Sequence, residues 1–127
     1  MLYLLDTNAV SDIQREKYNV RQRMEEELAK KNQLAICPIV YYEIIRGFKI
    51  SNAPKKFEQF MEIFKYLKKL SFDESATIKA AEISLKYKLE GNDIYIAATA
   101  IVNGCTLVTA NDKHFARIDG LKVENWR

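Results

Sequence analysis

The sequence predicts a single α/β domain in which a mainly parallel central sheet is flanked by helices. Three observations lead to this prediction: short apolar runs alternate with longer helical patterns, the first run (Leu2–Leu5) is apolar at every position, and polar or acidic residues follow the runs. Such alternation favours parallel strands joined by helices, and continuous apolar runs suit strands buried on both faces. The length of 127 residues is that of one domain, residues 1–127.

The first half of the chain supplies two strands and four helices. Pro38 directly follows the second apolar run, where its fixed dihedral angle suits the first position of a helix. A later segment spaces large aromatic side chains three and four residues apart, and this face is either core or a surface for a protein partner. The predicted elements are a strand at Leu2–Leu5, helices at Asn8–Arg15 and Val20–Lys31, a strand at Leu34–Cys37, and helices at Pro38–Lys49 and Lys55–Leu67.

The second half adds shorter strands and two further helices. Asp73 can cap a helix that carries Ile78, Ala81 and Leu85 on one stripe. The helix that starts at Asp93 is apolar nearly all round, which predicts a central position. The predicted elements are a strand at Leu70–Phe72, a helix at Glu74–Leu89 broken by Gly91, the helix from Asp93 to Asn103-Gly104, a strand at Thr106–Thr109 and an edge strand at Leu121–Val123.

The composition is that of a soluble globular protein, with 48% apolar and 29% charged residues. No apolar run approaches the roughly 20 residues that a membrane-spanning helix needs. Asp6 interrupts the apolar N-terminus, which excludes the long apolar region of a signal peptide, so we expect a cytoplasmic protein without membrane attachment. The net charge of +3 is compatible with a nucleic-acid partner but does not demonstrate one.

The cysteines and the histidine narrow the chemistry that this chain can perform. Cys37 and Cys105 lie far apart within apolar stretches, which indicates small core residues rather than a disulfide or a zinc site. His114 is the single histidine, which argues against a histidine-based metal cluster and against a Ser-His-Asp triad. An enzyme with this sequence must therefore work with carboxylates.

Four acidic residues stand where a strand ends or where a helix is otherwise apolar. Asp6 closes the first strand, and Glu43 lies in the helix that leaves the second. Asp93 opens the apolar helix that leads into the strand at Thr106–Thr109, and Asp112 follows that strand. Asp6, Glu43 and Asp112 can converge at the edge that strand ends share with helix starts, whereas Asp93 joins them only in a suitable topology. Each acid alone also suits a helix cap, an exposed helical position or a turn.

A cluster of these carboxylates predicts a metal site. Clustered carboxylates repel one another and raise one another's pKa unless a cation lies among them. Oxygen-only ligands select hard ions, so Mg²⁺ or Mn²⁺ is the expected occupant. Such ions activate water and stabilise the leaving oxygen when a phosphodiester is cleaved in line. Four polar neighbours would add hydrogen bonds that orient the carboxylates, namely Thr7, Asn8, Thr109 and Asn111.

Four segments and the C-terminal ending follow the order and spacing of a known family. The segments are LYLLDTN at Leu2–Asn8, Glu43 in its apolar helix, DIYIAA at Asp93–Ala98 and TLVTANDKHF at Thr106–Phe115. The ending contains Phe115-Ala-Arg-Ile-Asp-Gly-Leu and Val123-Glu-Asn-Trp126. Together they resemble the PIN-domain ribonucleases, and most closely the VapC-type toxins of toxin–antitoxin pairs, over essentially the whole chain.

The resemblance implies a compact α/β/α sandwich and Mg²⁺- or Mn²⁺-dependent endonucleolytic cleavage of RNA that arrests translation and growth. It implies that Asp6 and Asp93 are the principal metal ligands and that Glu43 completes the acidic cluster. The fourth acid is open, because many relatives carry it at the position of Asn111, and Asp112 is the next residue here. Either Asp112 substitutes, or the cluster works with three acids.

The resemblance also implies partners. It implies a homodimer and a cognate VapB-like antitoxin that wraps the toxin and blocks its acidic pocket, within a complex that can be of higher order. The helix with the aromatic face, Phe57–Leu67, would be a reasonable part of the groove that receives the antitoxin.

Two other classes of protein also place acids or basic patches in this way. A phosphotransfer protein, either a receiver domain or an aspartyl phosphatase, carries acids at strand ends. The phosphatase pattern needs a second aspartate where this chain has Asn8, and a receiver would use Lys113 but lacks an acidic pair before Asp6. A non-catalytic RNA-binding module would use lysine pairs, of which Lys30-Lys31 is one.

Overall fold

The computed structural model describes residues 1–89 and 91–127 and shows, within them, a five-stranded sheet flanked by seven helices. The predicted α/β fold with a central, mainly parallel sheet is therefore confirmed. The strands are β1 (Leu2–Leu5), β2 (Gln33–Ile36), β3 (Lys68–Lys69), β4 (Thr106–Val108) and β5 (Lys122–Glu124). The helices are α1 (Thr7–Arg15), α2 (Val20–Ala29), α3 (Pro38–Ser51), α4 (Pro54–Phe64), α5 (Glu74–Lys86), α6 (Gly91–Val102) and α7 (Asp112–Phe115).

The strand order is β3-β2-β1-β4-β5, and every pairing in it is parallel. The chain first builds outward from β1 through β2 to β3, and then crosses to the other side of β1 to add β4 and β5. Because crossovers between parallel strands are right-handed, the helices of the two halves cover opposite faces of the sheet. The direction of building reverses between β1 and β4, and open α/β sheets bind ligands beyond the strand ends at such a point.

β1 lies at the centre of the sheet and of the hydrophobic core. Leu4 and Leu5 are completely buried, and Leu4 pairs in register with Ala35 on one side and Leu107 on the other. α6 is buried at every position from 96 to 100, as its apolar sequence predicts. The first strand is thereby held on both edges and both faces, which fixes the position of the residue that follows it.

The predicted position of the third strand is wrong. The strand lies at Lys68–Lys69 and not at Leu70–Phe72, since those lysines pair with Ala35 and Ile36. Charged side chains suit a short strand at the edge of a sheet, where they discourage pairing with other chains. The helix before Gly91 ends at Lys86, so the predicted break is confirmed, but α6 begins at Gly91 and not at Asp93.

The apolar stripe predicted for α5 is also wrong. Ile78 is 55% exposed and Leu85 is 90% exposed. α5 instead buries Ala76, Ala80 and Ile83, and it packs against α6. Small alanine side chains allow two helices to approach closely, so here they form the contact face in place of the larger residues. The predicted cap is present, because Asp73 Oδ1 accepts a hydrogen bond from the Ala76 amide at 2.9 Å.

The aromatic side chains of α4 face α3. Phe60 is completely buried, Phe64 stacks on Tyr41 with ring centroids 4.4 Å apart, and Phe57 meets Phe48 edge-on at 6.0 Å. Aromatic pairs of this kind add to the stability that burial itself provides. Of the two predictions for this face, core is the one that the contacts support.

The cysteines are core residues, as predicted. Cys37 and Cys105 are buried and unpaired, and burial raises the pKa of each thiol to about 11. Among the helices of the described residues, none combines the length and the apolar character that crossing a membrane requires.

Candidate active site

Asp6 lies at the point where the direction of sheet building reverses. The Asp6 amide donates to the carbonyl of Val108 at 3.0 Å, so the chain leaves β1 directly beside the end of β4. Asp6 then serves as the N-cap of α1, with its Oδ1 accepting from the Thr7 amide at 2.7 Å. Only 6% of the residue is exposed. A buried carboxylate thus stands at the carboxyl edge of the central strand, where such sheets bind ligands.

The second carboxylate oxygen of Asp6 is held by side chains from both sides of that edge. Oδ2 accepts from the Thr109 hydroxyl at 2.8 Å and from the Asn8 amide at 3.2 Å. Thr109 Oγ1 itself accepts from the Asn111 amide at 3.0 Å, which leaves its proton for Asp6. Asn8 Oδ1 accepts from the Ala110 amide at 2.9 Å, which orients the Asn8 side chain. Both oxygens of Asp6 are therefore fixed before any ligand binds.

Glu43 is joined to Asp6 through the residue next to it. The Thr7 hydroxyl donates to Glu43 Oε1 at 2.9 Å, while the Thr7 amide holds Asp6. Burial raises the pKa of Asp6, and repulsion from Glu43 raises it further, against hydrogen bonds from Thr109, Thr7 and Asn8 that lower it. The net upward direction means that burial, with a smaller contribution from Glu43, outweighs the hydrogen bonds to Asp6, and a cation beside the pair would favour the charged form.

Asp93 and Asp112 are connected to the segment that follows β4. Asp93 is in the first turn of α6, where the helix dipole favours a carboxylate, and its side chain is 24% exposed. His114 Nε2 is 3.5 Å from Asp93 Oδ2. Asp112 begins α7 and is half-buried, and its Oδ1 accepts from Asn125 Nδ2 at 3.1 Å. The segment from Thr109 to His114 therefore runs from the hydroxyl that holds Asp6 to the imidazole beside Asp93.

Asn111 contributes its backbone to this segment. It is exposed and occupies the N-cap position of α7 without a side-chain capping bond, and its amide donates to Thr109 Oγ1. The two candidates for the fourth acidic position thus differ in role. Asn111 supports the threonine that holds Asp6, whereas Asp112 supplies a carboxylate.

The donor set fits a hard divalent cation in its chemistry, because every candidate ligand is an oxygen and Asp6 is a buried carboxylate whose pKa is raised. Asp6 and Glu43 are brought together, and Asp93 and Asp112 are linked to the same loop. Within residues 1–89 and 91–127, however, no three histidine, cysteine, aspartate or glutamate side chains are grouped closely enough to hold a metal ion. The structure thus holds Asp6 and Glu43 by hydrogen bonds from neighbouring residues, whereas the four carboxylates do not form a close group within the described residues.

Two residues of this region were not predicted as site residues. His114 contacts Asp93, although from sequence it served only to exclude histidine-based chemistry. Asn125 contacts Asp112, although its segment was noted only as a typical ending. The sequence offers no periodicity or spacing that brings Asn125 back to Asp112, because this contact depends on β5 pairing beside β4.

The fold agrees with the comparison to known proteins. A family model described as PIN domain matches residues 3–121. The curated ribonuclease VapC2 of Rickettsia felis is 35% identical, with 99% of this chain and 98% of the relative covered. The tRNA(fMet)-specific endonuclease VapC of Salmonella typhimurium is 29% identical, with 98% of this chain and 97% of the relative covered.

Solved structures give the same result. The crystal structure of VapBC2 from Rickettsia felis bound to a promoter DNA fragment contains a chain that aligns with a TM-score of 0.88 and 32% identity, covering 100% of both chains. DNA-bound VapBC from Salmonella typhimurium aligns with a TM-score of 0.85 and 29% identity, also over 100% of both chains. A chain with this sheet order and this acidic edge is a PIN domain. Within that family it belongs to the VapC ribonucleases, which confirms the predicted resemblance and sets aside the phosphotransfer class.

Proposed function

We propose that this protein is a divalent-metal-dependent endoribonuclease that acts as the toxin of a toxin–antitoxin pair. One observation carries the proposal: the buried carboxylate of Asp6, with both oxygens hydrogen-bonded, stands beside Glu43 at the reversal point of a PIN-domain sheet. Enzymes that cleave phosphodiesters with metal ions need carboxylates held in this way before substrate arrives. The family of the chain supplies the reaction class, and the site supplies the residues.

Asp6, Glu43, Asp93 and Asp112 would hold Mg²⁺ or Mn²⁺. When bound, the ion supplies positive charge to the phosphodiester and assists water as the nucleophile of an in-line hydrolysis. The residues around the carboxylates keep them in place: Thr109, Asn8 and the Thr7 amide fix Asp6, and the Thr7 hydroxyl fixes Glu43. Since all of these donors are neutral, they orient the carboxylates without cancelling the negative charge that attracts a cation.

The groove beside Glu43 is where the RNA strand would lie. It has a volume of about 500 Å³ and is bordered by Thr7 and Glu43 at the acidic site and by Arg15 and Lys56 farther out. Arg15 and Lys56 are exposed, so their charges are available to phosphate groups. Phosphate contacts of this kind position a strand without reading its sequence. This groove therefore suits RNA binding next to the cleavage site.

The partners follow from the relatives. The aligned structures from Rickettsia felis and Salmonella typhimurium are VapBC toxin–antitoxin assemblies, and we propose a VapB-like antitoxin that covers the acidic site of this chain. We also propose a homodimer, since α3, α5 and α6 line an apolar cavity of about 730 Å³ with Tyr42 and Tyr95 exposed at its edge. Light scattering of the purified toxin measures this directly. We place the protein in the cytoplasm, where its RNA substrate is.

The central test is RNA cleavage by the purified protein. We expect cleavage with Mg²⁺ or Mn²⁺, no cleavage with a chelator, and no cleavage by Asp6→Asn. Asp119→Asn is the matched control, because Asp119 is an exposed carboxylate that pairs with Lys86 and not with the site. In cells, expression should arrest growth unless the small neighbouring antitoxin gene is co-expressed. Cleavage that persists in chelator, or in Asp6→Asn, would contradict the proposed function.

A further inference from the structure

The last residues of the chain, Glu124–Arg127 (the C-terminal tail), contact both sides of the acidic site. The Glu124 carbonyl accepts from the Thr109 amide at 3.0 Å, and Thr109 holds Asp6. Asn125 Nδ2 donates to Asp112 Oδ1 at 3.1 Å. The same short segment therefore reaches one residue that supports Asp6 and the candidate fourth carboxylate itself. A tail that only closed the sheet would not need the second contact.

The orientation of the Asn125 side chain is determined by the backbone of the tail. Asn125 Oδ1 accepts from the Arg127 amide at 2.9 Å, so the oxygen end of the side chain must face that amide. The amide group Nδ2 is then the end that faces Asp112. The opposite orientation would place two donors together at Arg127 and two acceptors together at Asp112. Asn125 is thus set as a donor to this carboxylate.

The end of the tail is anchored to α1 by an ion pair between the exposed Arg127 and the buried Asp12. Arg127 Nε lies 2.7 Å from Asp12 Oδ2, and a second guanidinium nitrogen lies 3.3 Å from Oδ1. Asp12 is only 4% exposed, so its carboxylate needs this bidentate partner. The Arg127 guanidinium also lies over the ring of Tyr18, 4.5 Å from its centroid. Movement of Arg127, whose amide orients Asn125, would therefore leave the buried Asp12 carboxylate without this partner.

The middle of the tail is packed on the central strand. Trp126 is buried and meets Tyr3 of β1 edge-on, with ring centroids 5.2 Å apart. Its indole nitrogen donates to Glu124 Oε1 at 3.1 Å, and Arg23 of α2 donates to the same oxygen at 3.1 Å. Asn125 therefore projects from a segment that is fixed on either side of it.

We propose that Asn125 is a positioning residue for Asp112, through which the C-terminal tail sets the fourth carboxylate of the site. This inference rests on the proposed metal-dependent function. Asn125 fixes Oδ1 of Asp112, while Oδ2 accepts no hydrogen bond from any residue that the structure describes. One oxygen is thereby held and the other is left available. Asp6 differs, because protein donors occupy both of its oxygens.

The test compares Asn125→Ala with Asn32→Ala. Asn32 also donates its amide to a carboxylate, Glu27 Oε2 at 3.0 Å, but it directly precedes β2, at the amino ends of the parallel strands and not at the edge where Asp6 lies. Mn²⁺ affinity is measured by calorimetry without RNA, together with the melting temperature and the kcat and KM for RNA cleavage. We expect Asn125→Ala to weaken Mn²⁺ binding and lower kcat by about 10- to 100-fold with little change in KM, as for other residues that orient metal ligands. Asn32→Ala should lower the melting temperature by a similar amount and leave Mn²⁺ affinity unchanged.

Two further variants sharpen the result. Asn125→Asp places a like charge against Asp112 and should weaken Mn²⁺ binding more than Asn125→Ala. Asn125→Gln keeps the donor and should recover part of the loss. Unchanged Mn²⁺ affinity in Asn125→Ala, or an equal loss in Asn32→Ala, would overturn the positioning role. If the wild-type protein binds Mn²⁺ but does not cleave RNA, the nuclease function fails, while a difference between the two alanine variants still supports positioning.

Discussion

The two sides of the acidic site are built differently. Asp6 is 6% exposed, lies between two central strands and has both carboxylate oxygens hydrogen-bonded. Asp112 is half-buried, begins a four-residue helix and is held through one oxygen by Asn125. The Asp6 side is thus fixed by the core of the sheet, whereas the Asp112 side is fixed by the end of the chain.

This difference assigns separate tasks to the two sides. A carboxylate whose position follows from the central strand is suited to define where a cation binds. A carboxylate held through one oxygen, at the start of a short helix, has its other oxygen available to a cation. We therefore expect variants on the two sides to have unequal effects.

The largest effect is expected from removing the charge of Asp6. Asp6→Asn should reduce RNA cleavage to the level seen in chelator, because it removes the charge of the buried carboxylate that we propose as the central ligand. Asp112→Asn should reduce kcat/KM by about 10- to 100-fold, because Asp112 is less buried and its loss leaves Asp6 and its hydrogen bonds in place. Both values are measured on one RNA oligonucleotide at saturating Mg²⁺. Equal losses in the two variants would show that the two sides do not differ in function.

A smaller effect is expected from removing one hydrogen bond to Asp6. Thr109→Val keeps the shape of the side chain but removes the hydroxyl that donates to Asp6 Oδ2. Cleavage should fall by about 10- to 100-fold, as when other groups that orient metal ligands are lost. Thr109→Ser keeps the hydroxyl and serves as the control, with near-normal cleavage. A valine variant as active as the serine variant would mean that Asp6 does not need this donor.

The sequence predicts the Asp6 side of the site better than the Asp112 side, for a physical reason. Four apolar residues followed by Asp6 define a strand and its end by local pattern alone, and Thr109 ends another predicted strand. The position of Asp112 depends on Asn125, which reaches it only because β5 pairs with β4. Contacts that depend on the pairing of distant strands leave no local pattern. The buried face of α5 is likewise not predicted from its own sequence, because its alanines are buried by packing against α6.

The tail anchor should affect stability more than cleavage. Arg127→Ala leaves the Asp12 carboxylate buried without its bidentate partner, which should lower the free energy of unfolding. Arg127→Lys keeps the charge but not the paired geometry and should lie between the alanine variant and the wild type. Urea denaturation measures both. Cleavage by Arg127→Ala should fall less than cleavage by Thr109→Val, because the tail acts on the Asp112 side only through Asn125.

The smallest effect is a difference in the pH dependence of stability. The pKa of Asp6 in the folded protein is raised above its ordinary value of 3.8, chiefly by burial. The folded state therefore binds this proton more tightly than the unfolded state. The stability that Asp6 contributes is fully present below its ordinary pKa and is lost as the pH rises through its raised pKa. In metal-free protein, the free energy of unfolding of the wild type minus that of Asp6→Asn should therefore fall as the pH rises above the ordinary pKa of 3.8.

For Asp119 the same experiment should give a stability difference that changes with pH in the opposite direction. The hydrogen bond and charge of Lys86 lower the pKa of the Asp119 carboxyl, so its contribution is present above 3.8 and is lost as the pH falls through the lowered pKa. The wild type minus Asp119→Asn difference should therefore rise with pH, and only slightly, because this pair is exposed. If both differences changed in the same direction, Asp6 would not be destabilised by burial. The folded protein would then hold the charged form of Asp6 without a cost from burial or from Glu43, and a cation would not be needed to stabilise that charge.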